Sequence, residues 1–232
     1  MSFVSAVIPA AGLGRRMAKG IPKALINLEG RPIFIHTLKV ITKHPQIDEV
    51  ILAVPFAYLD LFKKKIKHYR IKKIKAVIPG GITRQESVSN ALLYIDEQIE
   101  WVLIHDAVRP FINFKMISEL ISLAKKYKAV SFGIPINSTL KRVDKEGWVK
   151  ETISRDCLWE TQTPQIFEKN LILKAHKILK KDNPFTDDAG MIERLGFKVK
   201  MIRGSFFNIK ITEPDDLRIA KAILKDKKRY GL

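Results

Sequence analysis

The chain has 232 residues, 46% of them apolar, and a formal net charge of +18. This length can bury the core of one large α/β domain and leaves little room for a second, so we expect residues 1–232 to form a single domain. No apolar run is long enough to cross a bilayer and the amino terminus lacks a signal-peptide pattern, which predicts a cytoplasmic protein with no membrane partner. The single cysteine, Cys157, excludes an intramolecular disulfide and is expected to be a small buried apolar side chain.

The chain up to residue 134 predicts strands that alternate with helices. Apolar runs indicate a first strand ending at Val7 and Ile8, followed by strands at 50–54, 74–78, 101–104 and 129–134. Helical apolar spacing indicates helices at 33–41, 58–69, 83–95 and 114–127, with Pro32 placed to start the first. This order predicts a Rossmann-like α/β fold with a mostly parallel sheet and helices on both faces, in which ligands bind beyond the carboxyl ends of the strands.

Residues 137–155 break this alternation and predict a projecting β-hairpin arm whose turn contains Gly147. An isolated hairpin is marginally stable in water, so we expect the arm to pack on a second copy of the chain in a homodimer. The remaining pattern indicates a strand at 159–162, helices at 168–179 and about 186–194, and a strand at 197–202. A closing helix is expected to begin near Thr212, whose hydroxyl would cap it together with Asp215.

The positive charge is densest at 63–75 and 225–229, in segments that have the pattern of amphipathic helices or helix ends. Such a charge attracts nucleic acid, membrane surfaces and small anions alike. No aromatic platform for stacking single-stranded bases is interleaved with these blocks, and no recognition-helix motif stands out. We therefore interpret both blocks as solvated helix faces and do not expect a nucleic-acid partner.

The stretch 7–23, VIPAAGLGRRMAKGIPK, joins the first strand to a turn of small residues. Backbone N–H groups can approach an anion closely at Ala10, Ala11, Gly12 and Gly14. Positive charge follows at Arg15, Arg16, Lys19 and Lys23. The dinucleotide-binding fingerprint fails because Met17 holds the place of its third small residue, and no GK[ST] triplet completes a Walker loop. The stretch indicates a polyphosphate-binding loop, with an ordinary glycine turn between strand and helix as the alternative.

Seven motifs occur in order along nearly the whole chain: PAAGLGRRM with Pro22 and Lys23, GGITRQESV, HDAVRP, STLKR, SRDCLWETQTPQ, TDDAG and NIKIT. In these motifs the chain resembles the 2-C-methyl-D-erythritol 4-phosphate cytidylyltransferases of the non-mevalonate isoprenoid pathway. The resemblance implies that a phosphate oxygen of methylerythritol phosphate attacks the α-phosphorus of CTP and that pyrophosphate leaves. Such an enzyme aligns two anions and stabilises growing charge, and it needs no catalytic base because the nucleophile is already ionised.

The resemblance also implies roles for individual residues. Four would be catalytic: Arg16, Lys23, Arg155 and Lys210. Arg16 and Lys23 would hold the triphosphate and stabilise the transition state, with Arg15 as the alternative to Arg16. Lys210 would position the attacking phosphate.

Nucleotide contacts are implied for Ala10, Ala11, Gly12, Gly14, Gly81, Arg84, Ser87 and Asp106. Contacts with methylerythritol phosphate are implied for Arg109, Thr139, Thr163, Thr186 and Asp187. Thr139 and Arg155 would serve the neighbouring subunit's site if the arm crosses a dimer interface.

Several of these positions have a second interpretation. Asp106 is expected to bind either ribose or a magnesium ion carried by the nucleotide phosphates. Thr186 is equally suited to cap the helix that follows it, and Thr139 to face solvent from the arm. His105 points away from Asp106 on a strand and is expected to be a packing residue. The family often has a small or acidic residue in place of Ile82, so the resemblance implies backbone recognition at this position and leaves open a side-chain contact with base or ribose.

Two other functions fit parts of the pattern. Cytidylyltransferases for other polyol phosphates, such as ribitol 5-phosphate, share motifs of the HDAVRP, TPQ and NIK type, although PAAGLGRRM and TDDAG favour the methylerythritol enzyme. A non-catalytic basic binding module would explain the charge alone. Such a module would bind nucleic acid with a steep dependence on salt and would not depend on Arg16 or Lys23.

Overall fold

The computed structural model describes residues 3–12, 20–179 and 185–226. In these ranges the strands are β1 (Val4–Pro9), β2 (Asn27–Leu28), β3 (Arg31–Pro32), β4 (Glu49–Val54), β5 (Ile74–Pro79), β6 (Trp101–Ile104), β7 (Ala129–Pro135), β8 (Leu140–Val143), β9 (Val149–Ile153), β10 (Trp159–Glu168) and β11 (Lys200–Arg203). The helices are α1 (Ile33–Lys43), α2 (Leu59–His68), α3 (Arg84–Leu92), α4 (Phe114–Tyr127), α5 (Lys169–Ile178), α6 (Asp188–Arg194) and α7 (Pro214–Lys225). Short 3-10 turns cover Lys23–Leu25 and Phe56–Tyr58.

Seven of the strands form one sheet in the order β11-β7-β10-β6-β1-β4-β5. All neighbouring pairs are parallel except those of β10, which runs antiparallel to both β6 and β7. The chain passes from β1 to β4 and β5 on one side and then returns to β6 on the other, so the strand order reverses at β1. Ligands of open α/β sheets bind at such a reversal, outside the carboxyl ends of the strands.

Helices cover both faces of the sheet, because each strand points alternate apolar side chains to opposite sides. In β1, Val4, Ala6 and Ile8 contribute to one core, while Val7 contributes to the other. The first core includes residues of α1, α2, α4 and α7, and the second includes residues of α3, α5 and α6. The predicted Rossmann-like fold with a mostly parallel sheet is confirmed.

Most boundaries agree with the sequence pattern, but several ends differ. The third helix ends at Leu92 rather than at 95, and the last strand begins at Lys200 rather than at 197. The strand predicted at 159–162 continues to Glu168. In this longer strand the pairing with β7 shifts register between Gln162 and Gln165, and Pro164 lies inside the irregularity.

Two helix caps differ from the prediction by one residue. The N-cap of α6 is Asp187, whose carboxylate accepts the backbone N–H of Gly190 at 3.0 Å, so the alternative of Thr186 as the cap is wrong. The closing helix is capped by Glu213 and Asp216 in a reciprocal capping box, so the expected pair of Thr212 with Asp215 is also wrong. The Thr212 hydroxyl instead donates to Asp216 at 2.7 Å.

The predicted arm is present as the separate two-stranded antiparallel sheet of β8 and β9, with Leu140 paired to Ile153. Its side chains are mostly exposed, and Trp148 is 76% accessible to solvent. A two-stranded hairpin with its large apolar side chains in water lacks a core of its own. This exposure is the structural feature on which the dimer prediction depends.

Cys157 is exposed, and the expectation that it would be buried is wrong. It lies in the turn between the arm and β10, where its φ of 61° places it in left-handed backbone and away from both cores. Among the helices of residues 3–12, 20–179 and 185–226, none is both long and apolar enough to cross a membrane.

Candidate active site

A cavity of about 840 Å³ opens at the carboxyl ends of β1, β4, β5 and β6. Its lining combines the loops that follow these strands with the segment before α7. The lining residues are Pro9, Ala10, Ala11, Gly12, Lys23, Ala24, Pro55, Phe56, Gly80, Gly81, Ile82, Thr83, Arg84, Glu86, Ser87, Asp106, Val108 and Lys210. The structure thus brings the small-residue loop, the second glycine turn, Asp106 and Lys210 to one place.

The first loop begins at the end of β1. Its backbone is held against the neighbouring strand β4, because the N–H of Ala10 donates to the carbonyl of Ala53 at 2.7 Å. Lys23 stands across this loop at the start of a 3-10 turn. A Cβ placed on Gly12 would lie 3.9 Å from Lys23 Cε, so the two line the same part of the cavity. Four residues that the sequence analysis named in this loop lie outside the described residues: Gly14, Arg15, Arg16 and Lys19.

The second glycine turn is held by hydrogen bonds from the first turn of α3. The N–H of Gly81 donates to Ser87 Oγ at 3.0 Å, and the same hydroxyl donates to the carbonyl of Thr83 at 2.9 Å. The Glu86 carboxylate accepts the N–H of Ile82 at 2.7 Å, and the Thr83 side chain caps the helix. Ser87 therefore holds the turn from within the protein, and the residues of the turn line the cavity.

Gly80 is required where the two loops touch. A Cβ at this position would lie 2.5 Å from Ala11 Cβ and 2.8 Å from Ser87 Oγ, closer than carbon atoms tolerate. We expect Gly80→Ala to lower the free energy of unfolding by about 1–3 kcal/mol through this overpacking and to weaken nucleotide binding. Urea unfolding and nucleotide titration would measure both effects.

Gly12→Ala is the matched comparison, because a Cβ there meets only Lys23 Cε at ordinary contact distance. It should leave stability nearly unchanged and weaken nucleotide binding alone. Equal stability of Gly80→Ala and the native protein would contradict the close contact between the loops.

Asp106 is buried at the centre of a cluster of cations. Its Oδ1 accepts Arg84 Nε at 3.0 Å, and its Oδ2 lies 2.8 Å from Lys210 Nζ and 3.8 Å from Arg109 Nε. Burial alone would raise the pKa of this carboxyl, but the charges of Arg84 and Lys210 outweigh it and hold the pKa far below its usual value. Asp106 is therefore ionised at neutral pH and orients two of the cations that line the cavity.

Lys210 reaches Asp106 because its neighbours in the chain are anchored. The N–H of Ile211 donates to the carbonyl of Val108 at 3.0 Å, and the side chain of Ile211 is fully buried. On the other side, the Asn208 amide donates to the carbonyl of Thr163 at 2.7 Å. Lys210 is thus held by anchored residues on both sides of it in the sequence, and it lines the cavity.

Arg84 is held from a second side by residues that the sequence did not single out. Its Nη1 donates to Asp188 Oδ2 at 2.7 Å, and Asp188 Oδ1 lies 3.2 Å from His176 Nε2. Burial would lower the pKa of Arg84, but Asp188 and Asp106 outweigh it and raise the pKa, so the guanidinium stays charged. Asp188 is the second aspartate of TDDAG. It lies 104 positions from Arg84 in the sequence, so no local pattern predicts their contact.

The residues expected to contact methylerythritol phosphate lie outside the cavity lining. Arg109 and Thr163 are buried behind Asp106, where Arg109 Nη1 donates to the carbonyl of Asn208 at 2.7 Å and Thr163 Oγ1 accepts the N–H of Asp106 at 3.1 Å. Asp187 caps α6 and accepts from Gln165, while Thr186 is exposed. Thr139 and Arg155 are exposed at the base of the arm, and the Arg155 guanidinium donates to the carbonyl of Asn137.

His105 is fully buried, as expected of a packing residue. Its Nε2 lies 3.0 Å from the carbonyl of Arg109, which can only accept, so Nε2 carries the proton and Nδ1 accepts from the hydroxyl of Thr163 at 3.1 Å. Burial lowers the pKa of His105 from 6.5 to about 4. The neutral imidazole thus holds Thr163, and Thr163 holds the backbone of Asp106.

This lowered pKa predicts how stability depends on pH. In the unfolded chain His105 binds a proton below about pH 6.5, whereas in the folded chain it does so only below about pH 4. As the pH falls from 6.5 to 4, the free energy of unfolding should therefore decrease by up to about 1.4 kcal/mol per pH unit. Above pH 6.5 this contribution is constant. His105→Gln should flatten the slope, whereas His44, whose pKa burial also lowers, contributes equally in both proteins. Identical slopes in urea unfolding from pH 4.5 to 7 would contradict this role.

A parallel sheet with two small-residue loops at its strand reversal, sharing a cavity with Lys23, Arg84, Lys210 and a buried carboxylate, defines an enzyme of the nucleotidyltransferase class. A sequence model of the family described as 2-C-methyl-D-erythritol 4-phosphate cytidylyltransferase matches residues 4–226. The chain belongs to this family.

Individual relatives agree with this assignment. The 2-C-methyl-D-erythritol 4-phosphate cytidylyltransferase of Clostridioides difficile strain 630 is 44% identical over 97% of this chain and 95% of its own length. That of Syntrophus aciditrophicus strain SB is 41% identical over 96% of each chain. The crystal structure of the 4-diphosphocytidyl-2C-methyl-D-erythritol synthase from Anaerococcus prevotii DSM 20548 is similar with a TM-score of 0.84 and 34% identity, covering 97% of this chain and 96% of the other.

Proposed function

We propose that the protein transfers the cytidylyl group of CTP to 2-C-methyl-D-erythritol 4-phosphate, giving 4-diphosphocytidyl-2-C-methyl-D-erythritol and pyrophosphate in the non-mevalonate isoprenoid pathway. The observation that carries this proposal is that one cavity joins the backbone of two small-residue loops to Lys23, Arg84 and Lys210. Membership of the family supports the choice of substrates.

The geometry suits a reaction between two anions. Lys23, together with Arg16 if the resemblance holds at that position, would draw electron density from the triphosphate and stabilise the charge that grows on the α-phosphoryl oxygens. Lys210, held by Asp106, would bring the attacking phosphate to the opposite side.

A magnesium ion bound with the triphosphate fits the residues of the cavity. Magnesium prefers few protein carboxylates together with phosphate oxygens and water, and the described residues contain no cluster of three or more histidine, cysteine or acidic side chains that would form a complete site. Asp106 is the carboxylate that would hold it, together with phosphate oxygens and water, while keeping its contact with Lys210. The ion would neutralise charge on the phosphate oxygens.

We further propose that the arm makes a homodimer and that two copies share each acceptor site. Thr139 and Arg155 lie at the base of the arm and outside the cavity of their own chain, and Trp148 exposes an apolar surface that a partner would cover. Residues 1–232 would then act as one cytidylyltransferase domain with residues 137–155 as the dimerisation arm. Mixing inactive Arg155→Ala and Lys23→Ala chains should restore activity in verified heterodimers, and heterodimers without activity would exclude shared sites.

The test of function is release of pyrophosphate from CTP over a panel of polyol phosphates. We expect release to require CTP, methylerythritol phosphate and a divalent metal together. Equal turnover with ribitol 5-phosphate would overturn the choice of acceptor. Absence of turnover with every nucleotide would overturn the assignment as an enzyme.

A further inference from the structure

Two large apolar side chains in the cavity lie open to solvent. Phe56 is 78% exposed and Ile82 is 99% exposed, although both line the same cavity. They are carried by the loops after β4 and β5, two parallel neighbours, and the N–H of Gly80 donates to the carbonyl of Val54 at 2.8 Å to tie those loops together. Apolar surface exposed inside a ligand cavity is surface that a ligand can cover.

The backbone around Phe56 is held by hydrogen bonds within the chain. Pro55 precedes it with extended dihedrals, and the N–H of Tyr58 donates to the carbonyl of Pro55 at 2.9 Å to close the 3-10 turn. The hydroxyl of Tyr58 donates to the carbonyl of Gly20 at 3.2 Å, which ties this turn to the end of the first loop. The aromatic ring therefore projects from a rigid turn.

The polar groups beside these side chains suit the edge of a nucleobase. The second glycine turn lines the cavity beside them. Its N–H groups at 80–82 are bonded within the protein, so its backbone offers carbonyl oxygens as acceptors, while the cations Lys23 and Lys210 suit phosphate. A nucleobase has two apolar faces and a polar edge, so its faces need contacts that neither the glycines nor the lysines provide. Phe56 and Ile82 are the exposed large apolar side chains among the described residues of the lining.

We propose that Phe56 and Ile82 are the contact faces for the pyrimidine ring of the nucleotide, with Phe56 stacking on the ring and Ile82 covering it from the adjoining loop. This inference rests on the proposed function and adds two side chains that determine affinity for the nucleoside part of CTP. A base that stacks on an aromatic side chain typically contributes enough that its loss weakens binding by about tenfold. The triphosphate is held by other residues and its binding is independent of both side chains.

The test compares CTP with inorganic tripolyphosphate in calorimetric titrations and in steady-state kinetics. Phe56→Ala should raise the dissociation constant and KM for CTP by about tenfold while kcat stays within about twofold, and tripolyphosphate should bind as to the native protein. Phe56→Tyr should restore CTP binding, and Ile82→Ala should weaken it by a smaller factor. Phe197→Ala, a partly exposed phenylalanine outside the cavity lining, is the matched control and should change nothing.

Fluorescence of the Phe56→Trp variant gives a second measurement that does not depend on turnover. We expect CTP to quench the introduced indole and tripolyphosphate to leave it unchanged. Suppose that the native protein releases pyrophosphate from CTP but Phe56→Ala binds CTP with unchanged affinity. That result would overturn this inference and would leave the proposed function standing. A native protein that binds no CTP would overturn both.

Discussion

Replacing Lys23 with alanine is expected to lower kcat for pyrophosphate release by about 10²- to 10³-fold, the usual cost of removing one group that stabilises transition-state charge. The chain positions this lysine firmly. Pro22 precedes it, Ala24 and Ile26 are buried beside it, and the N–H of Leu25 donates to the carbonyl of Pro22 at 2.9 Å. The side chain of Lys23 therefore enters the cavity from a fixed backbone, and its loss should affect the chemical step more than folding.

The control for Lys23→Ala must separate a local effect from the large net charge of the protein. Lys64→Ala removes an equal charge from an exposed position of α2, away from the cavity, and should leave kcat unchanged. Thermal unfolding of both variants should match that of the native protein within a few degrees. If Lys23→Ala kept kcat within threefold of the native value, the proposed triphosphate clamp would be wrong.

Replacing Asp106 with asparagine is expected to lower the free energy of unfolding by about 3 kcal/mol, because it removes the buried carboxylate that Arg84, Arg109 and Lys210 share. Arg84 and Arg109 have side chains only 22% and 7% exposed, so water replaces little of the lost interaction. Activity should fall as well, since Lys210 loses the partner that orients it. Urea unfolding and pyrophosphate release measure the two effects on the same preparations.

Asp215→Asn provides the control, because its ion pair with Arg218 is almost fully exposed and contributes little. A second comparison is the double variant Asp106→Asn with Lys210→Met. Removal of the unpaired ammonium group should recover part of the stability that Asp106→Asn loses, as a double-mutant cycle would show. Strictly additive effects would mean that Asp106 and Lys210 do not interact in solution.

The sequence predicted the fold well because buried parallel strands leave a strong signal. Each of the strands at 50–54, 74–78 and 101–104 is a short apolar run between amphipathic helices, and each appears where expected. The long strand β10 was only partly predicted, since Pro164 cannot donate to a sheet ladder and normally argues against a strand. The structure accommodates it at a register shift, which depends on tertiary pairing with β7.

The candidate site was predictable where residues follow a strand end. Ala10, Gly81 and Asp106 come directly after parallel strands, whose carboxyl ends meet at one edge of the sheet. Asp188 and His176 were not predicted, because the contacts of Asp188 with Arg84 and with His176 arise only when α5 packs against α3 and α6. The exposure of Phe56 was equally invisible in the sequence, where an aromatic residue after an apolar strand indicates a core position.

Phosphorus NMR of a reaction between the purified protein, CTP, methylerythritol phosphate and magnesium tests the central claim most directly. The proposed function predicts that the acceptor's phosphomonoester signal disappears while free pyrophosphate and the two coupled signals of a diphosphate diester appear in equal amounts. Release of inorganic phosphate alone, or a spectrum that stays that of the two substrates, would contradict cytidylyl transfer by this cavity.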